Sequence, residues 1–461
     1  MTQNDSEKKL SLFDSTAIII GSMIGSGIFI VSAEIARKVE TPGMLLLAWV
    51  ITGIITIFGA LSYGELAAAM PKAGGQYIYI KEAFGPLYSF LYGWTLFAVI
   101  QTGTIAAVAV AFAKFTGVFF PVISGDNHVL EIGKFVISTQ QVLAILLIIF
   151  LSVYNFRGVK AGAFLQNIFT VSKVLALLLL VILGIYFGMN SLGGAANFKP
   201  AFPDIITLTT IGVFGAAMTG SLFSADAWNN ITFTAGEVRN PQRNLPLSLF
   251  LGTTTVIILY LLANVAYIFV LPIEKIQHAE NDRVATLLME TILGNSGKYF
   301  MAAMIMISTF GCLNGCIFTA ARVYYAMAKD KMFLKPAARL NKNNVPANSL
   351  TMQCIWACLL CFTGTYGDLL NYIMFAVMLF YILTISGLFV LRVKKPEMER
   401  PYKAFGYPVI PAIYIILAIL VALNMLIYQS TFSIYGLIII LTGIPVYYLF
   451  RRSEKRRNQG I

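Results

Sequence analysis

Three consecutive small residues, Gly25, Ser26 and Gly27, stand in the middle of the first apolar stretch of the chain, STAIIIGSMIGSGIFIVSAEIA. Glycine weakens a helix, so we expect the helix to break there. At membrane depth an unpaired backbone amide or carbonyl is costly unless protein or a ligand satisfies it, which makes this run a candidate binding site. The alternative is helix packing, since Gly21 and Gly25 also form a GxxxG motif.

A second polar interruption, from Phe223 to Asn230, lies within the apolar stretch 205–235. As one straight helix this stretch would be about 45 Å long, well beyond the ~30 Å of membrane hydrocarbon. Ser, Asp and Asn side chains compete for backbone hydrogen bonds, so we expect this helix to break as well. The carboxylate of Asp226 could bind an ammonium group, accept a basic side chain or carry a proton. It could instead cap the helix that follows.

Lys173 lies in the apolar sequence NIFTVSKVLALLLL, about 15 Å of helix from the nearer end of its stretch. A lysine that reaches the membrane surface normally lies closer to the end of its helix. A charge at this depth costs at least ~3 kcal/mol on insertion scales and indicates a function. The alternative is a structural brace.

The elements that must position these residues are membrane helices. The 461 residues are 58% hydrophobic and only 12% charged, with a mean hydropathy of +0.78, whereas soluble proteins contain about 25% charged residues. We predict an all-α membrane protein with twelve transmembrane helices. The predicted spans are 15–37, 43–70, 86–115, 139–156, 161–188, 205–235, 246–271, 299–327, 349–366, 369–391, 408–428 and 432–450.

Basic residues alternate between the two sides of these spans. The two termini and the loops after every second span contain 23 of the 33 Lys and Arg residues, and the opposite loops contain eight. The positive-inside rule therefore places both termini in the cytoplasm. Because topology accounts for the net charge of +12, no nucleic-acid partner is expected.

Broken helices in the first and sixth positions predict two inverted halves of five helices. In transporters of that architecture the site lies near the midplane, where half-helix N-termini face anionic groups and unwound carbonyls face cations. The expected segments are a cytoplasmic N-terminus at 1–14, a first repeat at 15–188, a second repeat at 205–391, helices 11 and 12 at 408–450, and a basic cytoplasmic tail at 451–461.

Metal and enzyme chemistry are not expected. The histidines, His128 and His278, are far apart in loops, so they cannot form a zinc-type cluster, and we predict no metal and no other cofactor. Charged residues inside the spans are too sparse for a catalytic set. The cysteines have helical spacings that favour packing over disulfides; they are Cys312, Cys316, Cys354, Cys358 and Cys361.

Five motifs in order carry a family resemblance. They are GSMIGSGIF at 21–29, ELAAAMPKAGGQYIYIKEAFGPL at 65–87, GEVRNPQRNLP at 236–246, RVYYAMAKDKMFLKPAARLNKNNVP at 322–346 and RPYKAFGYPVIP at 400–411. With them the chain resembles the amino acid, polyamine and organocation (APC) superfamily over spans one to eleven. It is most similar to prokaryotic relatives of the L-amino-acid transporter (LAT) branch, which are exchangers of the LeuT-type fold with a 5+5 inverted repeat.

The resemblance implies which residues bind an amino acid. Amides of the first break are expected to hold its carboxylate and carbonyls of the second its ammonium; the residues are Ile24, Gly25, Ser26, Gly27, Phe223, Ser224 and Asp226. The rings of Phe223 and Trp228 are expected to close over the substrate. Lys173 is expected to stand where sodium-coupled relatives bind Na⁺, which would make transport Na⁺-independent. Asp226 departs from the LAT pattern, which usually has glycine there.

Two further groups are candidates with weaker support. Polar helix residues often serve helix contacts, but some could line the pocket; these candidates are Gln101, Thr102, Thr104, Cys312, Leu313 and Asn314. An inner gate of ion pairs, or ordinary surface neutralisation, is expected from Glu65, Glu237, Arg239, Arg243 and Arg322.

The sequence therefore predicts a Na⁺-independent exchanger of small neutral L-amino acids in the plasma or cytoplasmic membrane. The alternatives are a proton-coupled symporter, a carrier of cationic amino acids or polyamines, for which Asp226 is the main argument, and an amino-acid sensor without net flux. Expected partners are amino acids and the lipid bilayer. Animal LAT-branch light chains use a cysteine in the loop that corresponds to 116–138 to link to a glycoprotein; this loop has none, so no disulfide-linked heavy chain is expected.

Overall fold

The structure, a computed structural model, describes residues 10–132, 135–190, 193–362 and 366–458. Residues 1–9 of the predicted N-terminal segment and 459–461 of the predicted tail lie outside this range. Within the described residues, nine helical segments are long and apolar enough to cross a membrane. Three shorter apolar helices of 10–17 residues fall at further predicted spans; they are Thr139–Asn155, Leu208–Ser224 and Ala347–Leu360.

The first half of the chain contains eight helices and one hairpin among the described residues. They are α1 Leu12–Met23, α2 Gly27–Val39, α3 Pro42–Ala69, α4 Gln76–Phe84, α5 Pro86–Thr95, α6 Gln101–Thr116, the antiparallel strands β1 His128–Ile132 and β2 Phe135–Ser138, α7 Thr139–Asn155 and α8 Val159–Asn190. A π-helical turn at Leu96–Ile100 joins α5 and α6 into one continuous segment.

The second half contributes nine more helices. They are α9 Leu208–Ser224, α10 Asn230–Phe233, α11 Pro241–Val270, α12 Ile273–Gln277, α13 Val284–Lys329, α14 Ala347–Leu360, α15 Tyr366–Lys394, α16 Val409–Tyr428 and α17 Ser430–Asn458. Short 3₁₀ turns at Gly194–Phe198, Ala235–Glu237, Glu280–Asp282 and Lys335–Ala338 connect them.

Helix starts follow local sequence rules. Ser11 caps α1 and forms a reciprocal pair with Asp14, and Ser138 caps α7 in the same way with Gln141. Such pairs satisfy amides that have no acceptor inside the helix. The helix α13 runs from Val284 to Lys329 and kinks at Gly294, whose φ of +64° few other residues adopt. The predicted eighth span, 299–327, lies in the part of α13 that follows this kink.

Both predicted helix breaks are present. The first lies at residues 24–26, between α1 and α2, where Ile24 has a ψ of +87°. The second lies at residues 225–229, where Ala227 has a φ of +67°. The element after the second break is only one turn, α10, rather than the half-helix expected, and its N-cap is Asn229 rather than Asp226.

The two broken segments lie at the centre of the bundle. The segment α1 packs between α8, α11 and α13, while α2 packs against α9. Outer helices such as α7, α8, α16 and α17 expose large apolar side chains, as lipid-facing helices do. The buried interior instead contains polar groups that include Lys173 and Gln166. A polar centre inside an apolar exterior is the arrangement expected of a membrane protein with an internal site.

Candidate functional site

The two helix breaks meet at a cavity, which we call the central cavity. It is lined by both breaks, by α6 and by α13; the residues are Ser22, Met23, Gly25, Ser26, Gly27, Thr104, Val108, Phe223, Ser224, Asp226, Ala227 and Cys312. Segments more than 190 positions apart in the sequence therefore face one space. A ligand there contacts backbone from both breaks.

Lys173 reaches the first break from α8. Its Nζ donates hydrogen bonds of 2.7 Å each to the carbonyl oxygens of Gly21 and Ile24, and the side chain is fully buried. Gly311 of α13 leaves it space, because a Cβ there would lie 3.3 Å from Nζ. The Lys173 ammonium thus lies between two carbonyl oxygens that accept no hydrogen bond within α1. The C-terminal end of a helix is a favourable place for a cation.

Every carbonyl from Gly21 to Gly25 accepts a bond from a side chain. Besides the two that Lys173 takes, Cys312 Sγ donates to Ser22 O at 3.0 Å, and the Tyr260 hydroxyl donates to Met23 O at 2.8 Å. Ser308 Oγ contacts the carbonyl oxygens of Ile24 and Gly25 at 3.1 and 3.2 Å. Protein donors therefore satisfy the backbone oxygens of the first break, and Ile24 serves Lys173 and Ser308 rather than lining the central cavity.

The amides of the first break differ from one another. The Gly25 amide, expected to bind a ligand, donates instead to Met23 O at 2.8 Å, and Phe29 N donates to Ser26 O at 3.1 Å. Helix geometry leaves the amides of Gly27 and Ile28 without an acceptor inside α2. The positive end of the α2 dipole therefore lies at the central cavity, where an anionic group is stabilised.

Close packing holds the two breaks together. A Cβ on Gly27 would collide with the side chain of Ser224, and a Cβ on Gly25 would lie 2.9 Å from Cys312 Sγ. The Tyr260 hydroxyl lies 2.8 Å from Met23 O and 3.2 Å from Ser224 O, so it contacts both breaks. Sequence reasoning missed Tyr260, although a hydroxyl in the apolar sequence IILYLLANVAY was a usable signal.

Asp226 lies between the central cavity and a second cavity. The second cavity is lined by Gln76, Tyr92, Leu96, Ile100, Gln101, Asp226, Asn229, Asn230, Phe233, Val377, Phe380 and Tyr381. The Tyr381 hydroxyl donates to Asp226 Oδ1. Among the described residues, the buried Tyr92 hydroxyl and Asn230 Nδ2 have no hydrogen-bond partner. Asp226 is therefore a carboxylate accessible from two sides, with unpaired polar groups on one of them.

The two predicted gating rings lie in different surroundings. Phe223 lines the central cavity. Trp228 is buried outside both lining sets, where its ring lies 4.7 Å from that of Tyr63 and 5.2 Å from that of Tyr381. Only Phe223 is placed to contact a ligand in the central cavity directly. Trp228 supports the second break from behind.

The six candidate pocket residues also fall into two groups, those that line a cavity and those that do not. Thr104 and Cys312 line the central cavity, and Gln101 lines the second. The other three lie outside both lining sets: Thr102 donates to Phe97 O, Leu313 is fully buried in the helix bundle, and Asn314 binds Asn155 and Gly162. A step of one residue turns a helix by about 100°, which carries these side chains to other faces.

The five charged residues expected at an inner gate do not form one cluster. Arg322 Nε binds Glu237 Oε1 at 3.1 Å. Glu65 instead accepts bonds from Arg392 and Arg400 and from the amide of Ala404. The Arg239 amide binds Leu10 O, and Arg243 has no ion-pair partner among the described residues. These charges, predicted to lie on one side of the membrane, therefore have other partners in the folded chain.

The short helix α4 joins the second cavity to the charged helix ends. Gln76 Nε2 donates to Thr384 Oγ1 at 2.9 Å, and its Oε1 accepts from Asn229 Nδ2 at 2.9 Å. At the other end of α4, Lys395 donates to Glu82 and holds the pKa of that carboxyl below its usual range. The second break, α4 and α15 are therefore mechanically linked.

Metal binding finds no support in the part of the chain that the structure describes. No group of three His, Cys, Asp or Glu side chains lies close enough there to hold an ion. The five cysteines are free, and two of them, Cys312 and Cys316, are buried near Lys173.

Comparisons with known proteins agree on one family. Residues 10–450 match the model described as amino acid permease. The chain is 32% identical over 447 residues to b(0,+)-type amino acid transporter 1 of Mus musculus, an alignment that covers 96% of this chain and 88% of that protein. It is 32% identical over 452 residues to large neutral amino acids transporter small subunit 2 of Homo sapiens. That alignment covers 96% of this chain and 80% of the human protein. The family match includes both helix breaks, Lys173 and Asp226.

Proposed function

The chain belongs to the amino acid permease family and is a multi-pass membrane transporter, and from that premise we propose that it exchanges amino acids across the plasma or cytoplasmic membrane without Na⁺. Exchange proceeds by alternating access to the central cavity. The observation that carries the proposal is the meeting of two helix breaks around Asp226 and Gly27, with the Lys173 ammonium behind the first break.

The proposal includes a membrane topology of twelve spans. Nine long segments and three shorter apolar helices in the described residues supply that number. In this proposal the breaks at 24–26 and 225–229 hold equivalent positions in two inverted halves, 15–188 and 205–391, followed by two helices at 408–450. The excess of basic residues supports a cytoplasmic location for both termini.

The central cavity suits the two charges that every amino acid shares. The start of α2, at Ser26 and Gly27, attracts the carboxylate through amides and the helix dipole. The backbone carbonyls around Phe223, Ser224 and Asp226 attract the ammonium. Phe223 lines the same cavity and closes over the bound substrate. This arrangement needs no fully charged side chain for the carboxylate.

Lys173 accounts for independence from Na⁺. Its ammonium binds two carbonyl oxygens of the first break that a sodium ion would otherwise take. A fixed positive charge there keeps the break in shape in every step of the cycle. Exchange follows if the empty carrier reorients slowly, so that each outward step needs a bound amino acid.

Small neutral L-amino acids are the proposed main substrates, because both breaks approach closely at Gly27 and Ser224. A second candidate is the transport of cationic amino acids or polyamines. It is favoured by the half-buried carboxylate of Asp226, which borders a second cavity where Tyr92 and Asn230 present unpaired polar atoms. A basic side chain that extends from the central cavity would meet the Asp226 carboxylate. The same carboxylate could carry a proton in a symporter.

The deciding experiment uses purified protein in liposomes with labelled alanine and labelled lysine. Uptake that needs internal amino acid and is the same with Na⁺ or K⁺ outside supports exchange. Uptake into empty vesicles driven by a pH gradient identifies a symporter, and binding without flux identifies a sensor. Lysine uptake comparable to alanine uptake establishes the cationic substrate class. No disulfide-linked partner is required for activity in this proposal.

A further inference from the structure

A groove separate from both cavities lies where α3 ends and α11 begins. We call it the lateral groove. It has a volume of about 790 Å³ and is lined by Leu61, Gln242, Arg243, Pro246, Leu247, Phe250, Pro401, Tyr402, Lys403 and Phe405. None of these residues lines the central or the second cavity. The groove therefore needs its own explanation.

The walls of the lateral groove are apolar and open to the surrounding membrane. Phe250 and Phe405 are 42% and 66% exposed. From the groove toward the membrane interior, exposed apolar residues continue along α3 and α11, among them Ile54 and Ile258. Apolar faces of this kind on a membrane protein contact acyl chains. The groove is thus continuous with the lipid-facing surface.

The mouth of the groove is basic and its charges are unpaired. Among the described residues neither Arg243 nor Lys403 has an ion-pair partner. Nearby basic residues differ, since Arg392 and Arg400 both bind Glu65. The groove thus combines two cations that have no counter-charge with an apolar wall at the end of membrane helices. A molecule with an anionic group and an apolar tail would complement both features.

The groove is held in shape by buried contacts. Glu65 accepts a bond of 2.7 Å from the amide of Ala404, which fixes the segment that carries Lys403. Tyr402 packs against α3 at Gly64, where a Cβ would lie 2.8 Å from the tyrosine ring. The same Cβ would lie 3.3 Å from Pro246. Both sides of the mouth therefore have defined positions before any ligand binds.

We propose that the lateral groove binds an anionic phospholipid. Arg243 and Lys403 contact the headgroup phosphate, and the acyl chains lie against Phe250 and Phe405. A free anion would gain nothing from the apolar walls, and a zwitterionic lipid carries its own cationic group, which offsets its phosphate charge and is repelled by the two basic residues. The inference rests on the membrane location of the chain and the side assigned to its helix ends, and is independent of which solute is transported.

Native mass spectrometry of the full-length protein, titrated with phosphatidylglycerol or phosphatidylcholine, tests this proposal. Wild type is expected to retain phosphatidylglycerol preferentially. In the double variant Arg243→Gln/Lys403→Gln that preference is expected to fall about thirtyfold, since each basic residue near anionic lipid contributes about 1 kcal/mol. The control Lys335→Gln/Lys342→Gln removes the same charge from exposed positions outside the groove and should behave as wild type.

Three results would overturn the proposal. They are equal retention of the two lipids by wild type, equal loss in the control variant, and displacement of phosphatidylglycerol by millimolar inorganic phosphate, which would indicate a simple anion site. Size-exclusion profiles and thermal melting of each variant show whether it is folded. If the groove variant is unfolded, the single variant Lys403→Gln, whose side chain is exposed, gives the same comparison with a smaller expected loss.

Discussion

The hydroxyl of Tyr381 donates a hydrogen bond to the carboxylate of Asp226 and thereby ties α15 to the second helix break. The same carboxylate borders both cavities. In the proposed mechanism, a substrate group that binds Asp226 competes with, or adds to, this contact between α15 and the second break, so substrate binding can move the two relative to each other.

Replacing Asp226 separates the neutral from the cationic substrate class. We expect Asp226→Asn to lower lysine uptake by at least about tenfold, because a charge-assisted bond worth about 1.5–3 kcal/mol is lost. Alanine uptake should change much less. Tyr381→Phe removes only the helix contact and serves as the matched control, measured in the same liposome assay. Equal losses for both substrates would show that the Asp226 carboxylate does not select a cationic side chain.

Lys173 is expected to be replaceable by a cation. In Lys173→Ala the carbonyls of Gly21 and Ile24 lose their donor, so uptake without Na⁺ should fall at least about tenfold. Added Na⁺ should restore part of it in this variant and have no effect in wild type.

The control for that experiment is Ser308→Ala. It removes an uncharged donor from the carbonyls of Ile24 and Gly25. We expect a smaller loss that Na⁺ does not reverse. A Lys173→Ala protein with wild-type kinetics would show that the lysine is not needed for the transport cycle.

Gly27 tests how closely the two breaks must approach. Gly27→Ala places a Cβ into the Ser224 side chain, and we expect uptake to fall below about a tenth of wild type while the protein still elutes as a folded species. The double variant Gly27→Ala/Ser224→Gly returns the missing space and should recover part of the uptake. No recovery, despite normal melting behaviour, would mean that the Gly27 backbone itself contacts the substrate.

Cys312 offers a chemical probe of the central cavity. Its thiol lines the cavity, whereas Cys316, one turn away, does not. A small membrane-permeant mercurial should inhibit uptake, and excess alanine should slow the inhibition. Cys312→Ser should be resistant and Cys316→Ser as sensitive as wild type. Inhibition that persists in Cys312→Ser would place the reactive thiol elsewhere, for example on α14.

Glu65 is expected to matter for stability. It is buried and accepts bonds from Arg392, Arg400 and the Ala404 amide. Glu65→Gln leaves two guanidinium groups without a counter-charge, and breaking such a buried cluster costs about 3–5 kcal/mol. Thermal melting should fall clearly, and less for Glu237→Gln, because the Glu237 side chain is 26% exposed and that of Glu65 is 3% exposed. Similar melting of both variants would contradict this account.

The breaks themselves were predictable from the sequence, because glycine at 25 and 27 and the polar run around Asp226 oppose helix formation locally. The contacts of the breaks were not. Tyr260, Ser308 and Tyr381 reach them from distant helices, and a hydroxyl in an apolar stretch does not reveal which neighbour it will meet. Packing between helices decides that.

Charge pairing shows the same limit. The excess of basic residues on one side indicated a topology, but it did not indicate that Glu65 would bind Arg392 rather than Arg243. Likewise Thr102 and Asn314 share their stretches with cavity residues, but Thr102 bonds to the carbonyl of Phe97 in its own segment and Asn314 bonds to Asn155 of α7. The position of a residue in the sequence predicts its depth in the membrane better than it predicts which neighbouring helix its side chain will face.

The backbone carbonyls from Gly21 to Gly25, at the end of α1 and in the first break, all accept hydrogen bonds from side chains of the protein. In the proposed mechanism this break changes little during transport and binds the carboxylate, the part that all amino acids have in common. The second break keeps unpaired polar atoms and a shared carboxylate at its border. In the proposed mechanism, substitutions in the second break alone can therefore change which amino acids are transported, while the first break keeps the same contact with the carboxylate.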